Sequence, residues 1–244
     1  FIETILYRYS NSVIVLSKGF INYVKKKGGK NIVWLPNGPD LNKFKFAKLP
    51  DEKFQIGTIN RPCKILYAGA HGEANDLSNV IKAAKILKDF PIEFTLLGDG
   101  PLKASLIKES KGFNNIIFKE PIPKELIPKF MSKFDAILLS LKEVSVFQYG
   151  VSPNKLYDAY ALGRPVISTA HGEVNREIEG YNLGITSLPN KPILLAESIK
   201  KFIKKPRKDR EVMAYNARRI AEEIYSRKKI IERYNDLLIS TIEA

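Results

Sequence analysis

With 244 residues and 44% hydrophobic content, the chain has the apolar side chains to bury a core, which excludes a disordered protein. The 40 Lys+Arg against 26 Asp+Glu give a formal charge of +14, which fits nucleic acid, an anionic membrane surface, a phosphorylated small molecule or merely a lysine-rich proteome. No apolar run approaches the roughly 18 residues that span a bilayer and no secretory leader is visible, while the single Cys63 lies in an apolar run and reads as a buried thiol in a reducing compartment. The expected location is cytoplasmic.

In chain order, "FIETILYRYS" already reads as the middle of a helix, and no initiator Met stands before it, so the sequence is expected to be a piece of something longer. Strand-like runs follow at Ser12 to Ser17 and Asn31 to Pro36, with a helix between them. The polar, turn-rich stretch 47–61 reads as a linker, which makes 1–46 the end of one domain. From residue 62 to residue 205 the pattern alternates. Apolar, β-branched runs at Cys63 to Gly69, Ile92 to Gly98, Asn115 to Phe118, Asp135 to Leu141 and Arg164 to Thr169 are separated by helix-like segments. One of these segments puts Leu77, Val80, Ile81, Ala84 and Leu87 on one face at the 3.6 spacing. The remainder, 206–244, is helical by composition, with Ala217, Ile220, Ala221, Ile224, Ile231 and Leu238 as packing positions.

Strands alternating with helices predict an α/β fold, a doubly wound parallel sheet whose ligand crevice lies beyond the carboxyl ends of the strands. The loops there include "AGAHGEAND", "GDGPLK", "KEPIPKE", "SLKEVSVFQYGVSPNK" and "STAHGEVNRE", several with glycine just ahead of a helix. Amides at a helix start lack intrahelical partners and cradle phosphate, and glycine permits close approach, although a glycine after a strand is more often only a turn. The stretch "YGVSPNKLYDAYALGRPVI" stands out. Ser152 reads as an N-cap and Pro153 as the first helical residue, Gly163 ends the helix, and Lys155 and Asp158 lie one turn apart on it. They form either an exposed ion pair or part of a site. His71 is open in the same way, as a donor to an anion or a loop histidine without a role, and His171 reads as part of a capped turn. No Asp-x-Asp and no His/Cys/Asp cluster has metal-ligand spacing. The basic clusters "KKKGGK" and "KKFIKKPRKDR" are not interleaved with aromatics in the manner of base-stacking surfaces, so nucleic acid is not an expected partner.

The order of "VIVLSKGFINYV", "NIVWLPNGPDLNKF", "KILYAGAHGEANDLSNVIKAAKIL", "FTLLGDGPLKASL", "FDAILLSL", "SPNKLYDAYALGRPVIST" and "GYNLGI" resembles the glycogen-synthase-like group 1 family of retaining glycosyltransferases with the GT-B fold. Over nearly the whole chain the likeness is to the Rossmann-like, donor-binding C-terminal half plus a remnant of the acceptor-binding N-terminal domain, with a last helix crossing back. The "GAHGEAN" and "SPNKLYDAYA" stretches look most like bacterial transferases that add amino sugars to lipid-linked surface polysaccharide precursors.

The resemblance implies that amides near Gly150, Val151 and Ser152 receive the donor diphosphate, with Lys155 adding charge. It implies that Asp158, where Glu is usual, holds the ribose. Gly98 and the His71–Gly72 loop would line the crevice, and the backbone of Glu120 to Glu125, with Ile122 packing on the base, would hold the nucleobase. Donor, polyprenyl-diphosphate-linked glycan or saccharide acceptor, and anionic membrane surface are the implied partners; no cofactor or metal is implied. Two departures stand against it. Counting back eight positions from Asp158, where the family has its first acid, lands on Gly150, with Glu143 as a distant substitute or merely a solvated acid. The family's basic Arg and Lys pair is also not evident in the first glycine-rich loop, so the catalytic residues stay unassigned. A non-catalytic sugar-nucleotide-binding module and a 2-epimerase of the same fold are the alternatives. Most of the N-terminal domain lies outside this sequence, which predicts weak donor binding and little turnover.

Overall fold

The computed structural model describes residues 2–50 and 53–243. An N-terminal segment carries α1 (Ile2–Tyr9), β1 (Val13–Val15), α2 (Phe20–Lys26) and β2 (Ile32–Trp34), and β1 and β2 pair in parallel from Val13 opposite Ile32. A second, six-stranded sheet is formed by β3 (Cys63–Ala68), β4 (Ile92–Leu97), β5 (Ile116–Lys119), β6 (Ala136–Leu139), β7 (Val166–Ser168) and β8 (Gly184–Thr186). All its pairings are parallel, in the order β5-β4-β3-β6-β7-β8. The chain winds outward from β3 to β5, returns to lay β6 beside β3, and then winds the other way. The loops leaving β3 and β6 therefore diverge, which opens a crevice at their carboxyl ends.

Helices cover both faces. On one side α3 (Leu77–Ile86) packs with α8 (Pro192–Lys204), and all five residues of the predicted α3 stripe are buried. On the other side α6 (Asn154–Leu162) packs against α9 (Arg207–Glu223), with α5 (Ile127–Met131) beside it. The remaining crossovers are α4 (Lys103–Glu109) and α7 (Glu173–Gly180). Burial on both faces explains why β3, β4 and β6 read as nearly continuous apolar runs instead of alternating.

Three expectations are revised. The edge strand β8 falls in a stretch not read as a strand. The C-terminal helical segment is interrupted at Ile224–Ser226, and α10 (Arg227–Ile242) starts afresh with Ser226 as its N-cap. Ala217, Ile220 and Ala221 are buried and Ile224 is half-buried, but Ile231 and Leu238 on α10 are 50% and 43% exposed. The stretch read as a linker is fastened to the sheet domain: Leu49 and Ile56 are buried, Arg164 Nη2 donates to the Lys48 carbonyl at 2.7 Å, and Arg207 Nη1 to that of Pro50 at 3.1 Å. Residues 51 and 52 of it lie outside the described residues.

Candidate functional site

The crevice holds a cavity of about 400 Å³ at the carboxyl ends of β3 and β4. One wall is apolar, formed by Ala68, Leu97, Pro121, Ile122, Ile127 and Met131; Asp99, Lys155 and Asp158 supply the charged groups. Gly69 and Gly98 bring the two strand ends together. Gly98 has φ +142°, and a Cβ there would stand 1.9 Å from the Gly69 carbonyl oxygen, so only glycine leaves the cavity open at this point. Ile122 is half-buried on the cavity wall, and its backbone N–H has no protein acceptor among the described residues.

Lys155 and Asp158 both face this cavity, but they form no ion pair with each other, so the surface-pair alternative does not hold. Lys155 Nζ donates to the Tyr67 hydroxyl at 3.0 Å and to Asn75 Oδ1 at 3.2 Å, and lies 4.1 Å from the Tyr67 ring centroid. Among the described residues no carboxylate pairs with it. Burial lowers its pKa to about 8 and raises that of Asp158 to about 7, an effect on Asp158 that Arg227 opposes. The site thus holds a cation and a carboxyl group short of partners, an arrangement that costs stability unless a ligand supplies them.

The start of α6 differs from the sequence reading by one residue. Pro153, not Ser152, is the N-cap, because the Ser152 hydroxyl accepts the Asn37 backbone N–H at 3.0 Å and lies 3.0 Å from the Tyr157 hydroxyl. The Gly150 N–H is also committed, to the Phe147 carbonyl at 3.0 Å. Around the start of α6, the amides left without a protein acceptor among the described residues are those of Val151, Ser152, Asn154 and Lys155, so the free amides sit slightly further into the helix than expected.

His71 does not join the site. Its side chain is fully buried, packed edge-on against Phe118 with centroids 5.9 Å apart, and neither ring nitrogen has a hydrogen-bond partner among the described residues. Burial, with Lys103 adding to it, lowers its pKa and so favours the neutral ring. Its backbone does the work, donating to Asp99 O at 2.8 Å and accepting from Leu102 N at 3.0 Å. Gly72 is extended, half-exposed, apart from the cavity lining and free of close neighbours, so its lack of a side chain serves no packing need. Glu143 is exposed and lies 3.4 Å from His171 Nε2.

Gly150, where the resemblance would place the first acid, is packed against other side chains. With φ +96°, a Cβ here would meet Ser17 Oγ at 2.8 Å and Glu173 Oε2 at 2.9 Å. Glu173, whose carboxylate also accepts the Gly19 N–H at 2.9 Å, is therefore the acid standing beside that point. Sequence reasoning missed Glu173 in this role, together with Tyr67, Asn75 and Asp99. Tyr67 reads as one more core residue of a strand, and nothing local marks its hydroxyl as a lysine partner.

Sheet order and crevice position are those of the doubly wound, nucleotide-binding class of α/β domain. The family described as "Glycosyl transferases group 1" matches residues 50–220, and the chain belongs to it. It is 29% identical over 167 residues to WcaI of Escherichia coli K12, which carries the name of a colanic acid biosynthesis glycosyl transferase; the match covers 66% of this chain and 40% of WcaI. It is 30% identical over 137 residues to the amylovoran biosynthesis glycosyltransferase AmsK of Erwinia amylovora, covering 52% of this chain and 33% of AmsK. The matches thus cover well under half the length of these curated relatives. Anabaena HepE, crystallised with UDP and glucose, superposes with a TM-score of 0.75 at 17% identity, over 96% of this chain and 64% of HepE, a likeness of fold. Among the described residues no helix is long and apolar enough to cross a membrane.

Proposed function

We propose that the chain is the donor-binding part of a retaining glycosyltransferase that moves a sugar from a nucleoside diphosphate sugar, UDP-linked, to a lipid-linked or saccharide acceptor in bacterial surface polysaccharide synthesis. The observation that carries this reading is the cavity at the carboxyl ends of β3 and β4, walled on its other side by Lys155 and Asp158 of α6. Its apolar wall suits a base, Asp158 suits ribose hydroxyls, and Lys155, which has no carboxylate partner among the described residues, suits a diphosphate; the free amides of Val151, Ser152, Asn154 and Lys155 lie at the entry to the same helix. The polysaccharide names of WcaI and AmsK, and the UDP in HepE, support the substrate class.

In this reading the protein's contribution is electrostatic. As the bond to the sugar's anomeric carbon breaks, negative charge grows on the departing diphosphate, and preoriented amides with a half-desolvated ammonium stabilise it without reorganising. Residues 2–46 belong to the end of the acceptor-binding domain, and α10 is the helix that returns to it; the protein works in the cytoplasm, peripheral to the membrane that presents the acceptor. A second reading, a sugar-nucleotide-binding module without catalysis, is favoured by Gly150 alone, whose packing leaves no room for the family's first acid.

Calorimetric titration of nucleoside diphosphates into the chain and its Asp158→Ala variant tests the assignment. Loss of charge-assisted hydrogen bonds predicts weakening of about tenfold or more. Unchanged affinity in the variant would overturn the assignment of Asp158 to the ribose.

A further inference from the structure

The basic run "KKFIKKPRKDR" plays no part in the donor site, and the structure puts part of it at the opposite end of the sheet. There a cavity of about 440 Å³ opens beside the start of β4, one strand length, or about 20 Å, from the donor cavity. Its floor is apolar: Ile56 and Ile92 are buried and Ile203 is half-buried. Phe90, Lys200 and Lys204 stand at its rim. Lys200 Nζ lies 4.1 Å from the Phe90 ring centroid, and neither lysine has a carboxylate partner among the described residues.

This cavity is fixed in shape. Gly57 has φ +72°, and its backbone lies so close to Ile203 that a Cβ would stand 2.1 Å from Ile203 Cγ2. The wall is then pinned by the Thr58–Arg61 bridge and by Arg61, which holds the buried Asp135 carboxylate through two hydrogen bonds of 2.6 and 3.1 Å. On either side of the lining stretch 55–58 in sequence, Phe54 and Ile59 are exposed, at 51% and 89%. An apolar slot of small-molecule size with two unpaired ammonium groups at its mouth matches a ligand with an apolar body and an anionic head. A phosphodiester polymer would leave the slot empty, and a free phosphate would use only the mouth.

We propose that the cavity between the 54–59 loop and α8 is a second binding site, for an amphiphilic anion whose hydrocarbon body fills the slot and whose head pairs with Lys200 and Lys204. That head chemistry is shared by a soluble acyl anion and an anionic phospholipid. Calorimetry with octyl phosphate, 1-octanol and inorganic phosphate separates body from head, and sedimentation with vesicles of phosphatidylcholine, with and without phosphatidylglycerol, separates the sources. Octyl phosphate is expected to bind at one site at least tenfold more tightly than octanol or phosphate. The Lys200→Gln/Lys204→Gln double variant should lose that preference at least tenfold, with unchanged melting temperature and nucleoside diphosphate affinity. Sedimentation that needs phosphatidylglycerol and is lost in the double variant supports the site with a membrane as its source; octyl phosphate binding without sedimentation supports it with a free acyl anion. Octyl phosphate binding no tighter than phosphate, or equal in the double variant, would overturn the proposal if sedimentation too is indifferent to the two lysines. The readouts are separate from the Asp158 titration, so either site can fail alone.

Discussion

Lys155 and Asp158 titrate toward each other. Burial lowers the lysine to about 8 and raises the aspartate to about 7. Asp158 accepts hydrogen bonds from hydroxyls best when ionised, and Lys155 pairs with phosphate only when protonated, so donor affinity should rise as pH passes about 7 and fall again above about 8. The sign for stability differs: the folded chain holds the Asp158 proton more tightly than the unfolded chain, so this group's contribution falls as pH climbs from the ordinary carboxylate range to about 7. Calorimetry of a nucleoside diphosphate between pH 6 and pH 9 should give a bell-shaped affinity, with Lys155→Met flattening its alkaline limb. Gly150 allows a sharper steric test. Alanine there combines a positive φ with contact against Ser17 and Glu173, which predicts a loss of about 2–4 kcal/mol in urea unfolding. Sequence pattern located both α6 charges because helical spacing fixes their common side. It left His71 open, since whether a loop histidine faces solvent or core depends on residues such as Phe118, distant in sequence.

Helix α6 shows why local punctuation was readable at this level. Gly163 adopts φ +67°, its N–H donates to Tyr160 O at 2.9 Å, and Arg164 N donates to Ala159 O at 2.9 Å, the six-to-one bond of a left-handed C-terminal cap. Pro165 then prevents the helix from continuing. A Cβ on Gly163 would stand 2.4 Å from Phe46 Cε2, so Gly163→Ala should cost about 2–3 kcal/mol, measurable by chemical denaturation. The elements that escaped are those fixed by tertiary contacts. Three half-buried residues make β8 a strand only through pairing with β7. The α9–α10 break lies in a sequence with ordinary helix formers, and it occurs where Tyr225 is held in place, its ring 4.4 Å from that of Tyr157 and its hydroxyl bonded to the half-buried Glu177 carboxylate. The start of α6 shifted for the same reason: Ser152 was a sound cap by local rules, and Asn37, more than a hundred residues earlier, claims its hydroxyl.

Across the whole molecule, the N-terminal segment and the sheet domain are interlocked by contacts that no local pattern announces. Asn37 bonds both the hydroxyl and the carbonyl of Ser152, Gly19 bonds Glu173, and the rings of Phe20 and Tyr23 meet Tyr149. From the far end of the chain, Arg227 reaches the Gly38 carbonyl, and Arg233 donates to Trp34 O at 2.7 Å. Ile56, in the stretch that reads as a linker, is part of the main apolar core. Segments that share buried side chains and hydrogen bonds lose them together, so the N-terminal segment should not melt as a separate unit. Trp34 is the sole tryptophan and sits in that segment, its ring 6.1 Å from that of Tyr225 and 4.2 Å from Lys18 Nζ, which makes its fluorescence a report on the junction. Far-ultraviolet circular dichroism is dominated by the helices around the six-stranded sheet. The two signals, followed in one urea titration, should share a midpoint and slope. A Trp34 transition completed at clearly lower urea than the dichroism would show that residues 2–46 fold independently, and that the proposed donor crevice, beside which Asn37 holds Ser152 at the entry to α6, is only loosely preorganised.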